Sequence, residues 1–257
     1  MKVTIDEAIF EQFPDFNAGI LAVKGIDNLT KDTDIELFLR HASLEAGLLL
    51  KLKPLDRDAA VLAYREALAR VGAESRSSME QTFHDFVTGM EEEKRQAADP
   101  DSQKQLAPGS MTGLIGQTAL PRVSPVMDLV HGAELQFRMP VLAFDVGKKE
   151  APVALRLAKA GKPFAAGDGS GVTTDGEPVL TVGGEVAVRH FYCERGEAGE
   201  LTEDTRNLIL FLPAFHVNRR KAMSVRNELA RRIKDSFGRD VEAAWLDTST
   251  KEFISQI

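Results

Sequence analysis

Cysteine, long apolar segments and export signals are scarce or missing in this 257-residue chain. The single cysteine, Cys193, cannot form an internal disulfide or supply a thiolate zinc site. The longest apolar run, Leu208 to Phe215, is far shorter than the roughly 20 residues that a membrane-spanning helix needs. The opening segment, Met1 to Phe10, is acidic and does not resemble a secretory signal. These absences predict a soluble protein without disulfides or a membrane segment, and a cytoplasmic location is the default expectation.

The sequence also lacks the common motifs of metal, phosphate and serine-hydrolase chemistry. No histidine pair has metal-binding spacing such as H-E-x-x-H, so no metal or other cofactor is predicted; the five histidines are His41, His84, His131, His190 and His216. Gly167 to Gly171 is rich in glycine, but no Lys-Ser or Lys-Thr follows it, and glycine stands where a serine nucleophile would be. We interpret this segment as a loop between two strands.

Charge is distributed unevenly along the chain. The 39 acidic and 32 basic residues give a net charge of -7, which argues against a protein that coats nucleic acid. Between Val217 and Arg239, however, there are eight basic residues and only two acidic ones. Two interpretations of this basic segment are equally open: it binds an RNA backbone, or it docks on the acidic remainder of the same protein.

Hydrophobic periodicity predicts helices first and mostly strands afterwards. Three helical patterns begin near Thr33, after Asp56 and at the Ser77–Glu80 capping box, and a fourth follows an N-cap at Ser124. The other predicted elements are strands at Val3–Ile5, Ile20–Ile26, Met139–Val146, Val153–Leu157, Val179–Val182, Glu185–Cys193, Asn207–Phe215 and Val241–Leu246, and a helix at Asn218–Phe237. This order predicts an α+β fold of β-sheets packed with helices, with an N-terminal helical segment and a long C-terminal helix.

Composition divides the chain into three parts of one domain. Residues 1–90 are predicted to form an N-terminal α/β portion. Residues 91–110 show no periodicity and are predicted to be a flexible loop. Residues 111–257 are predicted to form a sheet-rich core that ends in the basic helix. The oligomeric state is left open.

The helix after Ser124 is the first place where chemistry is expected. Asp128 and His131 are three residues apart and share a helical face, so the carboxylate could orient the imidazole as a general base. A surface ion pair or a capping network is the competing interpretation. A second polar group, Glu194 to Arg206, is either part of a site or a charged loop.

Several short motifs occur in a characteristic order, namely Tyr64 to Ala67, Arg76 to Glu80, Pro125 to His131, Met139 to Asp145, Leu155 to Ala158 and Thr202 to Thr205. Their order and spacing resemble the free-standing B3/B4 domain proteins, relatives of the B3/B4 editing module in the beta subunit of bacterial phenylalanyl-tRNA synthetase. The resemblance extends from about Phe13 to Ile233. It implies a B3/B4-like fold, tRNA or aminoacyl-tRNA as the partner, and hydrolysis of the ester of a wrongly attached amino acid.

The resemblance also implies a pocket between the helix Ser124 to Phe137, the strand Pro140 to Asp145 and the segment Arg195 to Thr205. His131 and Glu197 would be catalytic, with one of them holding the attacking water. The substrate-binding residues would be Arg122, Asp128, Val130, Leu142, Asp145, Arg195 and Thr205. RNA would contact Arg219, Arg220, Lys221 and Arg226 on the basic helix.

Departures from the family pattern leave the function open. Leu142 replaces the histidine that the synthetase places before its Ala-Phe-Asp, Val130 replaces a threonine, and His131 stands where relatives usually carry asparagine. The first hypothesis is a deacylase that acts in trans on mischarged tRNA. The second is a tRNA-binding or protein-binding module that has lost the editing chemistry. The third is a protein that binds a free amino acid or another small molecule in the same pocket.

Overall fold

The structure is a computed structural model that describes residues 1–30, 32–73, 76–98, 120, 122–166 and 169–256. Its helices within these residues are Glu7–Gln12 (α1), Thr33–Leu52 (α2), Ala59–Arg70 (α3), Ser78–Ala98 (α4), Pro125–Phe137 (α5) and Arg219–Phe237 (α6). Its strands are Lys2–Ile5 (β1), Phe16–Val23 (β2), Leu142–Asp145 (β3), Val153–Leu157 (β4), Pro163–Ala166 (β5), Gly169–Val172 (β6), Pro178–Val182 (β7), Glu185–Arg189 (β8), Glu194–Arg195 (β9), Leu208–Phe215 (β10), Val241–Leu246 (β11) and Glu252–Ile254 (β12). The predicted α+β class is confirmed.

Strands from the beginning of the chain occupy interior positions in both large sheets. The six-stranded sheet has the order β12-β1-β4-β7-β8-β9, and the four-stranded sheet has the order β11-β2-β10-β3. Strands β5 and β6 form a separate hairpin. Every residue of β2 and β10 is buried, which explains why both strands read as continuous apolar runs instead of alternating ones.

Helix α6 covers the four-stranded sheet. It contacts β2, β10 and β11, and it buries one stripe of residues, namely Ala222, Val225, Leu229 and Ile233. Helix α5 packs mainly along α2, and it also contacts α4, α6 and β3. Because α5 has neighbours on several sides, most of its residues are buried, including the charged Asp128 and Glu134. This helix therefore brings polar side chains into the interior.

Two buried tyrosines connect the helical layer to the sheets. The Tyr64 hydroxyl donates to the carbonyl oxygen of Pro213 in β10 at 2.8 Å, and the Tyr192 hydroxyl donates to the carbonyl oxygen of Tyr64 at 2.8 Å. The two rings pack edge to face with their centroids 5.2 Å apart. These bonds satisfy polar groups that have no access to water, and they fix α3 against the end of β10.

The starts of the predicted helices α2, α3 and α4 can be compared with the caps that the structure shows. The Ser77–Glu80 capping box is present, since Ser77 Oγ accepts from the Glu80 amide and Glu80 Oε2 accepts from the Ser77 amide. Asp32 caps α2 by accepting from the Ile35 amide at 2.9 Å, and the helix begins at Thr33, as predicted. Asp58 caps α3, because Asp56 lies inside a short 3-10 turn at Leu55–Arg57 that precedes the helix.

Two predicted segments differ in the structure. Helix α4 continues to Ala98, so the predicted loop at residues 91–110 does not begin at residue 91. Residues 91–98 are Glu, Lys, Arg, Gln and Ala, which favour helix without needing an apolar stripe; residues 99–110 lie outside the described residues. Strand β2 is Phe16–Val23, so it begins and ends earlier than the predicted strand Ile20–Ile26, and the helix α1 that precedes it was not predicted.

The glycine-rich segment at 167–171 is only partly described. Residues 169–171 belong to β6, which pairs with β5 in a hairpin, so the predicted loop is wrong for these three residues. Strand β6 is followed by β7 and not by a helix, so the segment does not lead into a helix as a phosphate-binding loop does. Gly167 and Asp168 lie outside the described residues. None of the helices in the described part of the chain is both long and apolar enough to span a membrane.

Candidate functional site

Helix α5 carries the predicted catalytic histidine, and both of its ends are fixed. At its start, Ser124 Oγ accepts from the Met127 amide at 3.3 Å and Pro125 occupies the first turn. At its end, Arg138 adopts a left-handed conformation with φ of 52°. The buried Arg138 side chain donates to the carbonyl oxygen of Lys53 at 2.9 Å. These contacts fix the orientation of α5 and therefore the orientation of the helical face that carries His131.

A cavity lies between α5, β3 and the segment after β9, which is where the sequence places the pocket. Its volume is about 380 Å³. Met127 of α5 and Phe144 of β3 form one wall, and the loop Arg195–Leu201 forms the opposite one. Val123 and Ala187 complete the lining. We call this the first cavity.

Three hydrogen bonds hold the loop that lines the first cavity. The Asp145 amide donates to the Gly199 carbonyl at 2.9 Å, and the Glu197 amide donates to the Ala165 carbonyl at 3.0 Å. Behind the loop, Thr205 Oγ1 donates to Asp145 Oδ2 at 2.7 Å. Asp145 and Thr205, which were predicted to bind substrate, therefore support the loop and do not line either of the cavities described here.

A second cavity of about 290 Å³ adjoins the first. It opens between α4 and α5, and its lining residues are Ser78, Gln81, Thr82, Asp85, Met127, Val130, His131, Glu134, Val141, Cys193 and Arg195. Met127 and Arg195 line both cavities, so these two side chains separate one from the other. The structure thus places His131 on the second cavity and Glu197 on the first, with Arg195 between them.

Of the two residues predicted to be catalytic, His131 and Glu197, His131 is the less exposed to solvent. Burial, together with the charge of Arg195, lowers the pKa of its imidazole to about 4. Its Nδ1 atom is buried and has no hydrogen-bond partner among the residues that the structure describes. His131 is therefore neutral near pH 7 and has a free ring nitrogen, but it is a weak base.

Asp128 does not orient His131, contrary to the prediction from their spacing. The buried Asp128 carboxylate accepts from Arg122 Nε at 2.6 Å, and Arg122 Nη1 donates to Glu36 at 3.0 Å. Burial raises the pKa of Asp128, and the Arg122 charge opposes that effect. Arg122 and Asp128 form an ion pair that connects α5 to α2, which agrees with the competing structural interpretation.

Arg195 holds its guanidinium at the boundary of the two cavities. Its Nη2 atom donates to the carbonyl oxygen of Ala143 in β3 at 2.7 Å. Burial lowers the pKa of this guanidinium, while the carboxylates of Glu134 and Glu200 oppose the effect. An arginine remains charged under all ordinary conditions, so a positive charge stands where the cavities meet.

Glu134 is a polar residue of the second cavity that sequence reasoning missed. Its carboxylate accepts from Ser78 Oγ at 2.7 Å, from Thr82 Oγ1 at 2.5 Å and from the Val141 amide at 3.0 Å. Burial raises its pKa, and these donors oppose the effect. The sequence does contain a signal for this residue. Glu134 stands four residues after Val130, so this charged residue falls on the apolar, inward-facing stripe of α5.

The two apolar departures from the family pattern have different environments. Val130 is buried and forms part of the wall of the second cavity. Leu142 is fully buried in the hydrophobic core and lines neither cavity. Of the nine residues that sequence assigned to the amino-acid site, the structure brings His131, Val130, Arg195 and Glu197 together around the two cavities.

The predicted RNA-binding residues of α6 are mostly bonded within the molecule. Arg219 lies 3.3 Å from an Asp247 oxygen and over the ring of Trp245. Arg226 donates to the Ala244 carbonyl at 3.0 Å and lies over the same ring. These contacts agree with the interpretation in which the basic helix docks on the remainder of the protein.

Lys221 and Arg220 differ from each other in exposure. Lys221 is partly buried, and burial lowers its pKa. Arg220 is exposed, and its side chain makes no hydrogen bond or ion pair within the described part of the chain. RNA binding by α6 stays a prediction, and Arg220 is the residue most available for it.

No group of three or more His, Cys, Asp or Glu side chains within the described ranges is arranged to hold a metal ion. The residues around both cavities offer hydrogen-bonding groups, the guanidinium of Arg195 and the carboxyl groups of Asp85, Glu134, Glu197 and Glu200 instead. Such a set can bind an anion or a polarised carbonyl group and can position a water molecule.

Comparison with known proteins gives a matching family and a similar solved structure. A family model described as "B3/4 domain" matches residues 103–257. An N-terminal fragment of the phenylalanyl-tRNA synthetase beta subunit from Pyrococcus horikoshii is similar in structure, with 13% sequence identity and a TM-score of 0.43. The similarity covers 93% of this chain and 49% of that one, so this chain spans about half the length of the fragment. No curated protein matches.

Proposed function

The chain belongs to the B3/4 domain family, and from this premise we propose that it binds tRNA and hydrolyses the ester bond of a wrongly attached amino acid. The family match confirms the resemblance seen in the sequence and supports a tRNA-associated role. The hydrolytic step is the finer part of the proposal. It is supported by the chemistry of the two adjoining cavities.

One observation carries the proposal: the two candidate catalytic side chains line adjoining cavities that share a charged arginine. His131 lines the second cavity, Glu197 lines the first, and Arg195 lines both. An ester carbonyl that reaches this boundary would find a guanidinium for the negative charge that develops on its oxygen. An aminoacyl ester is already reactive, so alignment and this charge are the main requirements.

The side chains suggest distinct tasks for the two candidates. The unpartnered Nδ1 atom of the neutral His131 can accept a hydrogen bond from a water molecule. Because its pKa is low, His131 is better suited to hold this water than to take its proton. The exposed carboxylate of Glu197 is the candidate to accept the proton. Water then forms the new bond to the carbonyl carbon, the bond to the ribose oxygen breaks, and the proton returns to that oxygen.

A third cavity supports an approach path for the tRNA end. It has a volume of about 550 Å³ and shares Glu197 and Ala198 with the first cavity. Lys162 lines this cavity and offers a positive charge to a phosphate group, beside the carboxylates of Glu185 and Glu197. We infer that the 3′ end of the tRNA lies in this third cavity, so that the ester reaches the first cavity past Glu197.

A binding module without catalysis is the second candidate function. The buried Val130 and Leu142 favour it, because they replace polar residues of the synthetase pocket with side chains that neither donate nor accept hydrogen bonds. In this alternative the cavities recognise an aminoacyl group or a protein segment and no ester is cleaved. The same experiment separates the two candidates.

The decisive experiment challenges the purified chain with a panel of aminoacyl-tRNAs and measures released amino acid. The proposal predicts that at least one aminoacyl-tRNA is deacylated, and that His131→Ala and Glu197→Ala each slow the reaction about 100-fold or more. Glu203→Ala is the matched control, because Glu203 is an exposed glutamate close to the same loop that lines neither of these cavities. Binding of tRNA without cleavage of any ester would refute the hydrolase proposal and support the binding module.

Binding of tRNA is tested separately through Arg220. Because this side chain is exposed, Arg220→Glu is expected to weaken tRNA binding and to reduce the slope of log K against log salt by about 1. Arg231→Glu is the matched control, because Arg231 is already paired with Glu228 and Asp235. Equal salt slopes for the wild type and Arg220→Glu would show that this face of α6 does not contact tRNA.

A further inference from the structure

Arg195 is partly buried, but unlike Arg122, Arg138 and Arg189 it has no close carboxylate in the described part of the chain. Arg122, Arg138 and Arg189 each lie within 4 Å of an Asp or Glu oxygen. Among the residues that the structure describes, no carboxylate comes that close to Arg195, and its hydrogen bond goes to the backbone of Ala143. Glu134 and Glu200 act on its pKa only from a greater distance.

A guanidinium with one bond has most of its binding capacity left. Arginine carries five N–H donors in a planar fork whose geometry matches the two oxygens of a carboxylate. Holding such a charge away from bulk water without a partner is costly, and an anion that enters the site would remove much of that cost. The remaining surface of Arg195 lines the first and second cavities, so an anion can reach it from either.

The shape and lining of the first cavity select among anions. Part of its wall is formed by Met127, Phe144 and Ala187, which offer apolar surface, and the carboxylates of Glu197 and Glu200 also line it. Its volume of about 380 Å³ suits a small molecule and not a folded partner. A fully charged and hydrated group such as free phosphate would gain little from this wall, whereas an apolar chain attached to a carboxylate would be desolvated by it.

We propose that Arg195 and the first cavity bind a small free carboxylic acid with an apolar chain, with the carboxylate on the guanidinium and the chain against Met127 and Phe144. Free apolar amino acids belong to this class. The inference goes beyond ester hydrolysis, because an ester has no free carboxylate, and it stands whether or not the protein cleaves one. Where the protein does cleave an ester, the released amino acid carries this group and competes with the next substrate for Arg195.

The test compares L-leucine with L-leucinamide by isothermal titration calorimetry on the full chain without tRNA. The amide keeps the side chain and the amino group but lacks the carboxylate, so it is expected to bind at least about tenfold more weakly. Inorganic phosphate is titrated in a parallel arm. Equal affinity for the acid and the amide would overturn the proposal. Displacement of leucine by phosphate with a higher affinity than that of leucine would also overturn it.

Two variants connect the binding to Arg195. Arg195→Met removes the charge at similar side-chain length and is expected to weaken leucine binding at least about tenfold. Arg156→Met is the matched control, because Arg156 is also partly buried and donates to a backbone carbonyl, that of Gly184, but lines neither cavity. Unchanged leucine binding in folded Arg195→Met would refute the assignment. Should that variant fail to fold, the comparison of acid with amide on the wild type still decides.

Discussion

The charge state of His131 can be tested through the pH dependence of folding. In the folded protein, burial and the charge of Arg195 lower the pKa of His131 to about 4 from its ordinary value of 6.5. Between these values the unfolded chain binds a proton that the folded chain does not. Acidification therefore favours the unfolded chain, and this part of the stability is lost as pH falls from about 6.5 towards about 4.

The size of the effect follows from the difference between the folded and unfolded pKa of His131. Each tenfold change in a proton-dissociation constant corresponds to about 1.4 kcal/mol, so His131 should cost about 2 kcal/mol of stability between about pH 7 and about pH 4.5. The assay is urea unfolding at a series of pH values for the wild type and His131→Asn. Other groups titrate alike in both proteins, so the wild type should lose about 2 kcal/mol more than the variant over this range.

A control and an independent measurement make the result decisive. His84→Asn replaces an exposed histidine of α4 and is the control for the loss of a histidine at the surface. In the folded wild type, the NMR resonances of the His131 ring should not titrate between about pH 8 and about pH 5. Parallel stability curves for the wild type and His131→Asn, or titration of the ring near its ordinary pKa, would show that water reaches the imidazole and would refute the reasoning.

Three further predictions concern the scaffold around the site. Gly196→Ala should destabilise the protein by about 1–3 kcal/mol in urea unfolding, since its Cβ would lie 2.6 Å from the Phe164 ring and 2.7 Å from a backbone oxygen; an unchanged midpoint contradicts this. Tyr64→Phe should cost about 1–3 kcal/mol, because it leaves the buried Pro213 carbonyl without its donor; a cost below about 0.5 kcal/mol would mean that water replaces the hydroxyl. Burial alone would raise the pKa of Glu177, but bonds from Arg189 and Thr174 lower it to about 2. Glu177→Gln should therefore destabilise the protein at neutral pH, and its difference from the wild type should shrink as pH falls from about 4.5 towards about 2, measured by urea unfolding at each pH.

The main elements of the fold could be predicted because their signals are local. The strand at β10 is a continuous apolar run, and α5 carries a serine cap, a proline in its first turn and a regular stripe. The hairpin between β7 and β8 has Gly183 and Gly184 at its turn, both with positive φ as such a turn requires. These features depend on neighbours in sequence, so they are visible without knowledge of the tertiary structure.

The site could be predicted only in part, because its geometry depends on contacts distant in sequence. Asp128 and His131 have suitable helical spacing, yet Asp128 is bonded to Arg122, which in turn bonds to Glu36 of another helix. The partners of Glu134 include Ser78 and Thr82 of α4, more than 50 positions earlier. That no carboxylate of the described residues pairs with Arg195 is likewise a property of the assembled structure.

The position of the first strands within the sheets has a consequence for synthesis of the protein. Strand β1 pairs with β12, and β2 pairs with β10 and β11. Strands synthesised at the start of translation therefore cannot form these pairs until the last part of the chain has been synthesised. Such a topology has a high contact order, which predicts slow folding and a late, concerted closure of both sheets. A ribosome stalled before Val241 would hold a chain whose β2 has an open edge, a state that chaperones recognise and that pairs readily with other chains.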